Sequence, residues 1–343
     1  MAGATAGIGV SIPPLYISEI VPEAVRGQLG SLIQFQVTFG ILASNLLCIM
    51  LPVYQLSSWA NNLWFVVYTF PIIPAAVQLA VLGLVYDFDT PKWLQNSQRP
   101  NEQERALKTV FGDDWEDYLE KDLATETPSH SIKDPSFTEI FTVKQLRAPL
   151  LVGCFLSMTQ QLTGINAFIF YSGNIFEELQ GNRNFANLFT AAIGFVNMAS
   201  TMICLALVEK YGRKILMIQG LAGMGSCHLL LFLFSIIGLP SIASLPFIFV
   251  FIAFFESSSG PVLWIYCGET LTDRGNGMAV AVNWFFTGVV TALFNLLVEI
   301  LSLEYVFLFF SAYCFGSIVV VVMFMKETKG KSRQQLQRMQ EES

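Results

Sequence analysis

Nothing constrains this chain more than a succession of apolar runs, each long enough to cross a bilayer. They lie at Ser31–Leu51, Leu63–Tyr86, Leu146–Phe176, Leu188–Val208, Ile215–Gly238, Leu245–Gly268, Gly277–Leu301 and Tyr305–Met325. About 20 apolar residues span the hydrocarbon core as a helix. Backbone in that medium must satisfy its own hydrogen bonds, so each run is expected to be helical. A further run, Met1 to about Ile20, holds Gly3, Gly7, Gly9, Pro13 and Pro14 and starts without a polar flank, as though inside a helix. The expected fold is therefore all-α and integral to the membrane, with eight complete transmembrane helices and a partial first one.

The runs fall into two groups separated by a polar, acidic segment from Asp87 to Lys144. Its length argues for short surface helices, at Asn101–Phe111 and Asp113–Leu123, in place of a structureless linker. The domains expected are a partial N-terminal transmembrane half (1–86), a cytoplasmic helical linker (87–145), a six-helix C-terminal half (146–325) and a cytoplasmic tail (326–343), charged and helical. Orientation follows from Lys and Arg. With the linker inside, Arg183 alone of 19 basic residues lies outside, as the positive-inside rule requires.

Only 13% of residues are charged against 53% hydrophobic, so the net charge of −7 resides in loops and says little about partners. No basic stripe for nucleic acid is present. The cysteines Cys48, Cys154, Cys204, Cys227, Cys267 and Cys314 fall in apolar runs without a CxxC, which indicates neither a disulfide framework nor a zinc site. His130 reads as a loop residue and His228 as a packed or interfacial one. Signatures of hydrolases, metalloproteases and phosphate-binding loops are absent, so no enzyme, cofactor or ATP-driven step is expected. There is no Asn-x-Ser/Thr sequon and no cleavable leader pattern.

The chemistry concentrates at Gln160-Gln161-Leu-Thr163-Gly164-Ile-Asn166, inside an apolar run. Carboxamides both donate and accept, which suits a neutral, hydroxyl-rich ligand. Such groups in a membrane face a partner helix or a water-filled cavity. The plainer reading is that they hold helices together. In an unbroken helix Gln161 and Asn166 would point about 140° apart, and a break at Gly164 brings them to one side. A second break is expected at Gly260-Pro261, after Ser257-Ser258-Ser259, unless the proline only kinks the packing. Other polar residues within spans are Gln34, Gln36, Asn197, Glu256 and Asn283, with Trp264 near the second break. The Trp264 indole suits the C–H face of a sugar, although most membrane tryptophans are interfacial anchors.

Charges pair at the cytoplasmic ends: Glu19 with Arg26, Asp89 with Lys92, Glu209 with Lys210, Arg213 and Lys214, and Glu269 with Arg274. Each exposed pair is worth only about 0–1 kcal/mol, yet a set formed in one state can bias two-state switching; placement for topology explains some of them. A faint repeat relates Tyr16-Ile-Ser-Glu19 and Arg26-Gly27 to Tyr266-Cys-Gly-Glu269 and Asn276-Gly277. Two matched halves with a solute site between them are the architecture of a transporter.

Together these motifs resemble the sugar porters of the major facilitator superfamily, the facilitative glucose transporters and their proton-coupled hexose relatives. The resemblance rests on Pro14 through Gly27, Gln160 through Asn166, Val208-Glu209-Lys210-Tyr211-Gly212-Arg213-Lys214, Gly260-Pro261-Val-Leu-Trp264, Asn283-Trp284 and Glu327-Thr328-Lys329-Gly330. It implies the major facilitator fold and hexose transport by alternating access, facilitative in the first reading and proton-coupled in the second. By it the hexose-contacting positions are Gln34, Gln160, Gln161, Asn166, Asn197, Glu256 and Trp264, with Trp284 shaping the cavity. Glu19, Arg26, Asp89, Lys92, Glu209, Arg213 and Glu269 then form the cytoplasmic gate network.

The pattern departs at Phe88-Asp89-Thr90-Pro91-Lys92, Asn276, Thr287 and Lys326. The resemblance also implies that the chain begins within the family's fourth helix, lacking the first cavity helix. A transport-incompetent sensor or structural membrane protein is the expectation's third form. The partners expected are a small hexose and the lipid bilayer, and the location a plasma membrane with the linker and C-terminus cytoplasmic.

Overall fold

Every regular element of the computed structural model is a helix among the residues it describes, which are 7–9, 12–13, 16–17, 19–21, 23–49, 64–119, 135–166, 183–331, 335–336 and 339. The long ones are α1 (Glu23–Ile49), α8 (Lys144–Leu162), α9 (Arg183–Tyr211), α10 (Arg213–Ile237), α13 (Asp273–Leu301) and α14 (Leu303–Phe324). Two further spans are interrupted. Phe70-Pro71 separates α2 (Trp64–Thr69) from α3 (Ile72–Leu84), and Ser257-Ser258 separates α11 (Leu245–Glu256) from α12 (Ser259–Thr270).

Six stretches are long and apolar enough to cross a membrane: Phe65–Leu84, Leu188–Tyr211, Arg213–Ile237, Leu245–Thr270, Asp273–Leu301 and Leu303–Phe324. Within α1 the apolar piece is Leu32–Leu47. Helix α8 supplies the start of the expected Leu146–Phe176 span, whose remainder beyond 166 lies outside the described residues. Most of the partial first run lies outside them as well.

The linker carries α4 (Pro91–Asn96), α5 (Pro100–Phe111), a 3-10 turn (Gly112–Asp114), α6 (Trp115–Tyr118) and α7 (Phe137–Thr142). Helix α4 is capped by Thr90, whose side chain accepts from Trp93 N at 3.3 Å. Helix α7 is closed by a full capping box between Ser136 and Glu139. Of the expected helix at Asp113–Leu123, the part beyond 119 is outside the described residues. The beginning of the tail differs from expectation. Residues 325–331 form an extended segment and a turn, because Glu327 binds backbone N–H groups there in a way a helix would preclude.

Helix α12 is the hub. It packs against α1 from the first half and against α8 and α10 from the second. Around it α9 lies on α1 and α11, α13 on α8, and α10 on α14. The core between them is apolar, with Leu156, Met217, Leu221, Met224, Phe251 and Val262 fully buried. By contrast α3 buries none of its residues. In lipid an outward apolar face carries no penalty, so this bundle is organised by close packing and internal polar bonds.

Candidate functional site

The two helix breaks are real and they face each other. Helix α8 ends at Leu162, Thr163 caps it, and Gly164 follows at φ +86°. That left-handed backbone suits glycine. A Cβ there would also sit 2.9 Å from Phe310 Cδ2. The second break lies at Ser257-Ser258, just before the position expected from sequence, with Ser258 at φ −143°, ψ −93°. Gly260 and Pro261 instead occupy the first turn of α12. Proline is tolerated there because first-turn N–H groups have no intrahelical acceptor.

Across these breaks runs a network of carboxamides. Gln160 Nε2 donates to the carbonyls of Ser259 at 3.2 Å and Gly260 at 3.0 Å. Gln160 Oε1 accepts from Asn283 Nδ2 at 2.8 Å and from Gln161 Nε2 at 3.2 Å. Gln161 Nε2 also donates to Asn283 Oδ1 at 3.0 Å, and Asn166 Nδ2 donates to Gln161 Oε1. A break at Gly164 thus does bring Asn166 to Gln161. Asn283 further donates to the Ser157 carbonyl at 3.2 Å.

A second cluster joins the two halves. Gln34 on α1 donates through Nε2 to Glu256 Oε1 at 3.3 Å and Oε2 at 3.1 Å, and its Oε1 accepts from Trp264 Nε1 at 3.2 Å. Thr201 Oγ1 lies 3.1 Å from Glu256 Oε2 and 2.9 Å from the Asn197 carbonyl. Glu256 is buried, and neutral donors satisfy it. The clusters meet at Gly260. A Cβ on it would fall 2.8 Å from Glu256 Oε2 and 3.4 Å from Gln34 Nε2, while its carbonyl takes Gln160. Asn197 is fully buried, and neither carboxamide atom has a hydrogen-bond partner among the described residues.

Trp284 stands apart at 44% exposure, one residue round α13 from buried Asn283. Gln36 is exposed on α1, unlike Gln34. The centre of the amide network is therefore Asn283, which the sequence offered as a polar residue within a span and as part of the Asn283-Trp284 motif, but not among the hexose-contacting positions. Thr201 was missed, because a threonine in an apolar helix commonly bonds its own helix.

At the junction of α9, α10 and α12 Arg213 Nη2 donates to Glu209 Oε1 at 2.8 Å and Glu269 Oε1 at 2.7 Å. Three of the residues expected in the charged network thus come together. The sequence pairing of Glu269 with Arg274 is corrected: Arg274 Nη1 donates to the Pro135 carbonyl at 3.2 Å, and its guanidinium covers the Phe137 ring at 5.5 Å. Arg274 lies in the first turn of α13, beside the linker, which leaves Glu269 to Arg213 on α10. Beneath Arg213, Glu327 Oε1 accepts from Arg213 N at 2.9 Å and Oε2 from Lys214 N at 3.0 Å, capping α10. In the first half Glu19 accepts from Thr90 Oγ1, Asp89 is exposed, Lys92 is half-buried on α4, and the Arg26 side chain lies outside the described residues.

Residues 1–340 match the family model described as "Sugar (and other) transporter". The chain belongs to the sugar transporter family. Among relatives, this sugar transporter is 31% identical over 342 residues to the glucose transporter GlcP of Staphylococcus epidermidis, covering 98% of the chain and 74% of the relative. It is 31% identical over 351 residues to human solute carrier family 2, facilitated glucose transporter member 4, covering 98% and 66%. The chain thus spans about two thirds to three quarters of the length of these relatives.

Its fold is that of the major facilitator superfamily. It is similar to the proton:xylose symporter XylE bound to 6-bromo-6-deoxy-D-glucose, with TM-score 0.80, 25% identity, and coverage of 96% of the chain and 70% of XylE. Against an inward-open XylE from E. coli the TM-score is 0.66 at 24% identity, over 95% and 68%. The chain is a multi-pass integral membrane protein of a family that transports sugars.

Proposed function

We propose that the chain moves a glucose-like hexose by alternating access, binding it at the amide network, as a facilitative uniporter in a plasma membrane with linker and tail cytoplasmic. The observation that carries this reading is the bridge from Gln160 to Ser259 and Gly260, which joins the two breaks around a common set of donors and acceptors. Such a set matches the hydroxyls of a neutral sugar, and Trp264 at its edge offers an apolar face. Asn197 supports the reading too. A buried unpaired carboxamide costs about 1–3 kcal/mol, which a hydroxyl or water would recover.

The gate residues belong to the same cycle. With Arg213 holding Glu209 and Glu269, the cytoplasmic ends of α9, α10 and α12 are tied. No covalent chemistry is needed. The decisive experiment reconstitutes the chain in proteoliposomes and follows D-glucose counterflow. Saturable flux lost in Gln160→Ala and indifferent to a pH gradient is expected. Flux driven by a pH gradient would make it a symporter, and binding without flux would make it a sensor.

A further inference from the structure

His228, on α10, is fully buried and lies outside the amide network. Its Nε2 is 2.8 Å from the carbonyl oxygen of Thr163, 65 positions earlier in the chain. A carbonyl can only accept, so this nitrogen carries the proton. The bond matters because α8 stops among buried residues, Thr163 and Ile165 being shielded, and the last carbonyls of a helix have no intrahelical donor. Their partners can be followed one by one. The Gln160 carbonyl accepts from the Thr163 hydroxyl at 2.8 Å, and the Gln161 carbonyl from Gly164 N at 3.1 Å. The Thr163 carbonyl is taken by His228.

The ring that does this is itself fixed. Its centroid lies 4.8 Å from that of Phe251 in an edge-on arrangement and 5.4 Å from that of Phe310. Phe310 is the same ring that a Cβ on Gly164 would strike. Helices α10 and α14 thus hold the unwound turn from two sides. Gln160 and Gln161 precede this turn and Asn166 follows it, so its geometry decides whether the three amides converge.

We propose that His228 is a positioning residue, clamping the break at Thr163-Gly164 so that the amides on either side address one ligand. The clamp makes the break a fixed feature of the C-terminal half, and movement during transport occurs elsewhere. The consequence for sugar affinity rests on the hexose reading above; the clamp itself does not.

The test compares the full chain with His228→Phe, which keeps a ring without a donor, and His228→Gln, which keeps a donor at similar reach. Amide hydrogen exchange is followed across residues 162–166 and, as a control, in α14, with D-glucose affinity measured in parallel. In H228F, exchange at Gly164–Asn166 is expected to rise about tenfold with α14 unchanged. The Kd for glucose rises by a similar factor, ~1.4 kcal/mol. H228Q stays within about threefold of the parent on both.

Unchanged exchange in H228F would overturn the clamp. Faster exchange with unchanged Kd would overturn its role in positioning. H228Q failing as badly as H228F would assign the effect to ring packing. If H228F loosens α14 as well, His228→Leu against H228Q decides by the same criteria. A parent chain that binds no glucose defeats the hexose reading, while the exchange measurement still decides the clamp.

Discussion

Gln160 and Gly260 are joined at 3.0 Å, the side-chain amide of one helix bonded to a backbone carbonyl of the next broken span. The same carboxamide accepts from Asn283, so three helices share one residue. Any ligand in this region meets groups already aligned by each other, which lowers the ordering cost of binding.

Replacing Gln160 with alanine removes both ends of that bridge. Affinity for D-glucose is expected to fall about 10–100-fold, in line with one or two lost polar contacts at ~1.4 kcal/mol per decade. Titration of purified protein by calorimetry checks this, and an unaltered isotherm would take Gln160 out of the site.

Gln34→Leu severs the only element of the first half that reaches the centre through described hydrogen bonds. Glu256 keeps Thr201 but loses both amide contacts, and a buried acceptor so deprived costs about 1–3 kcal/mol. A lower thermal midpoint is expected, with partial recovery in the Gln34→Leu/Glu256→Gln double variant. A double-mutant cycle of thermal stabilities reads the coupling, and strict additivity would show that the two residues do not communicate.

Arg213→Ala leaves Glu269, whose side chain is 14% exposed, and Glu209 facing each other without a cation. Removing one partner of a buried ion pair costs about 3–5 kcal/mol. On the alternating-access proposal the relief is to part the ends of α9, α10 and α12 that meet at Arg213, so the population open on that side should grow. Labelling rates at a cysteine introduced at the Thr270 end of α12 would report it, a faster rate being the expected result.

At the linker, acid should loosen α7. The Glu139 carboxyl is held below its ordinary value first by the backbone N–H of Ser136, then by the Ser136 hydroxyl, with Arg274 adding a smaller pull. A depressed folded value means the contribution is present above the unfolded carboxylate range and is lost as pH falls through the folded value. Protection of 136–142 from hydrogen exchange, taken relative to the intrinsic rate at each pH, should therefore fall in acid in the parent. In Glu139→Gln the acid effect should be absent, with exchange already fast at neutral pH.

How much of this was legible beforehand depended on the distance over which each residue acts. Gly164 announced its break because a glycine beside three polar residues is hard to place in an uninterrupted membrane helix. Pro261 misled by a few residues: a proline marks a nearby helix start as readily as a kink, and sequence does not say which. Arg274 looked like the partner of Glu269 because five positions separate them, yet Arg213 arrives from another helix and wins. His228 read as packed, which it is, but its bond to Thr163 spans two helices and leaves no local trace. Asn283 was visible as a polar residue in an apolar span and as half of the Asn283-Trp284 motif, and its place at the network centre had to come from the packing of α13 on α8.

The carboxylate of Glu327 has one further meaning. It accepts from the backbone N–H groups of Arg213, Lys214, Thr328 and Lys329, so a single side chain splices the turn at Lys329-Gly330 onto the start of α10. Whatever tilts α10 must carry that turn with it, which makes a fluorophore placed just beyond Gly330 a gauge of the gate read from the water side.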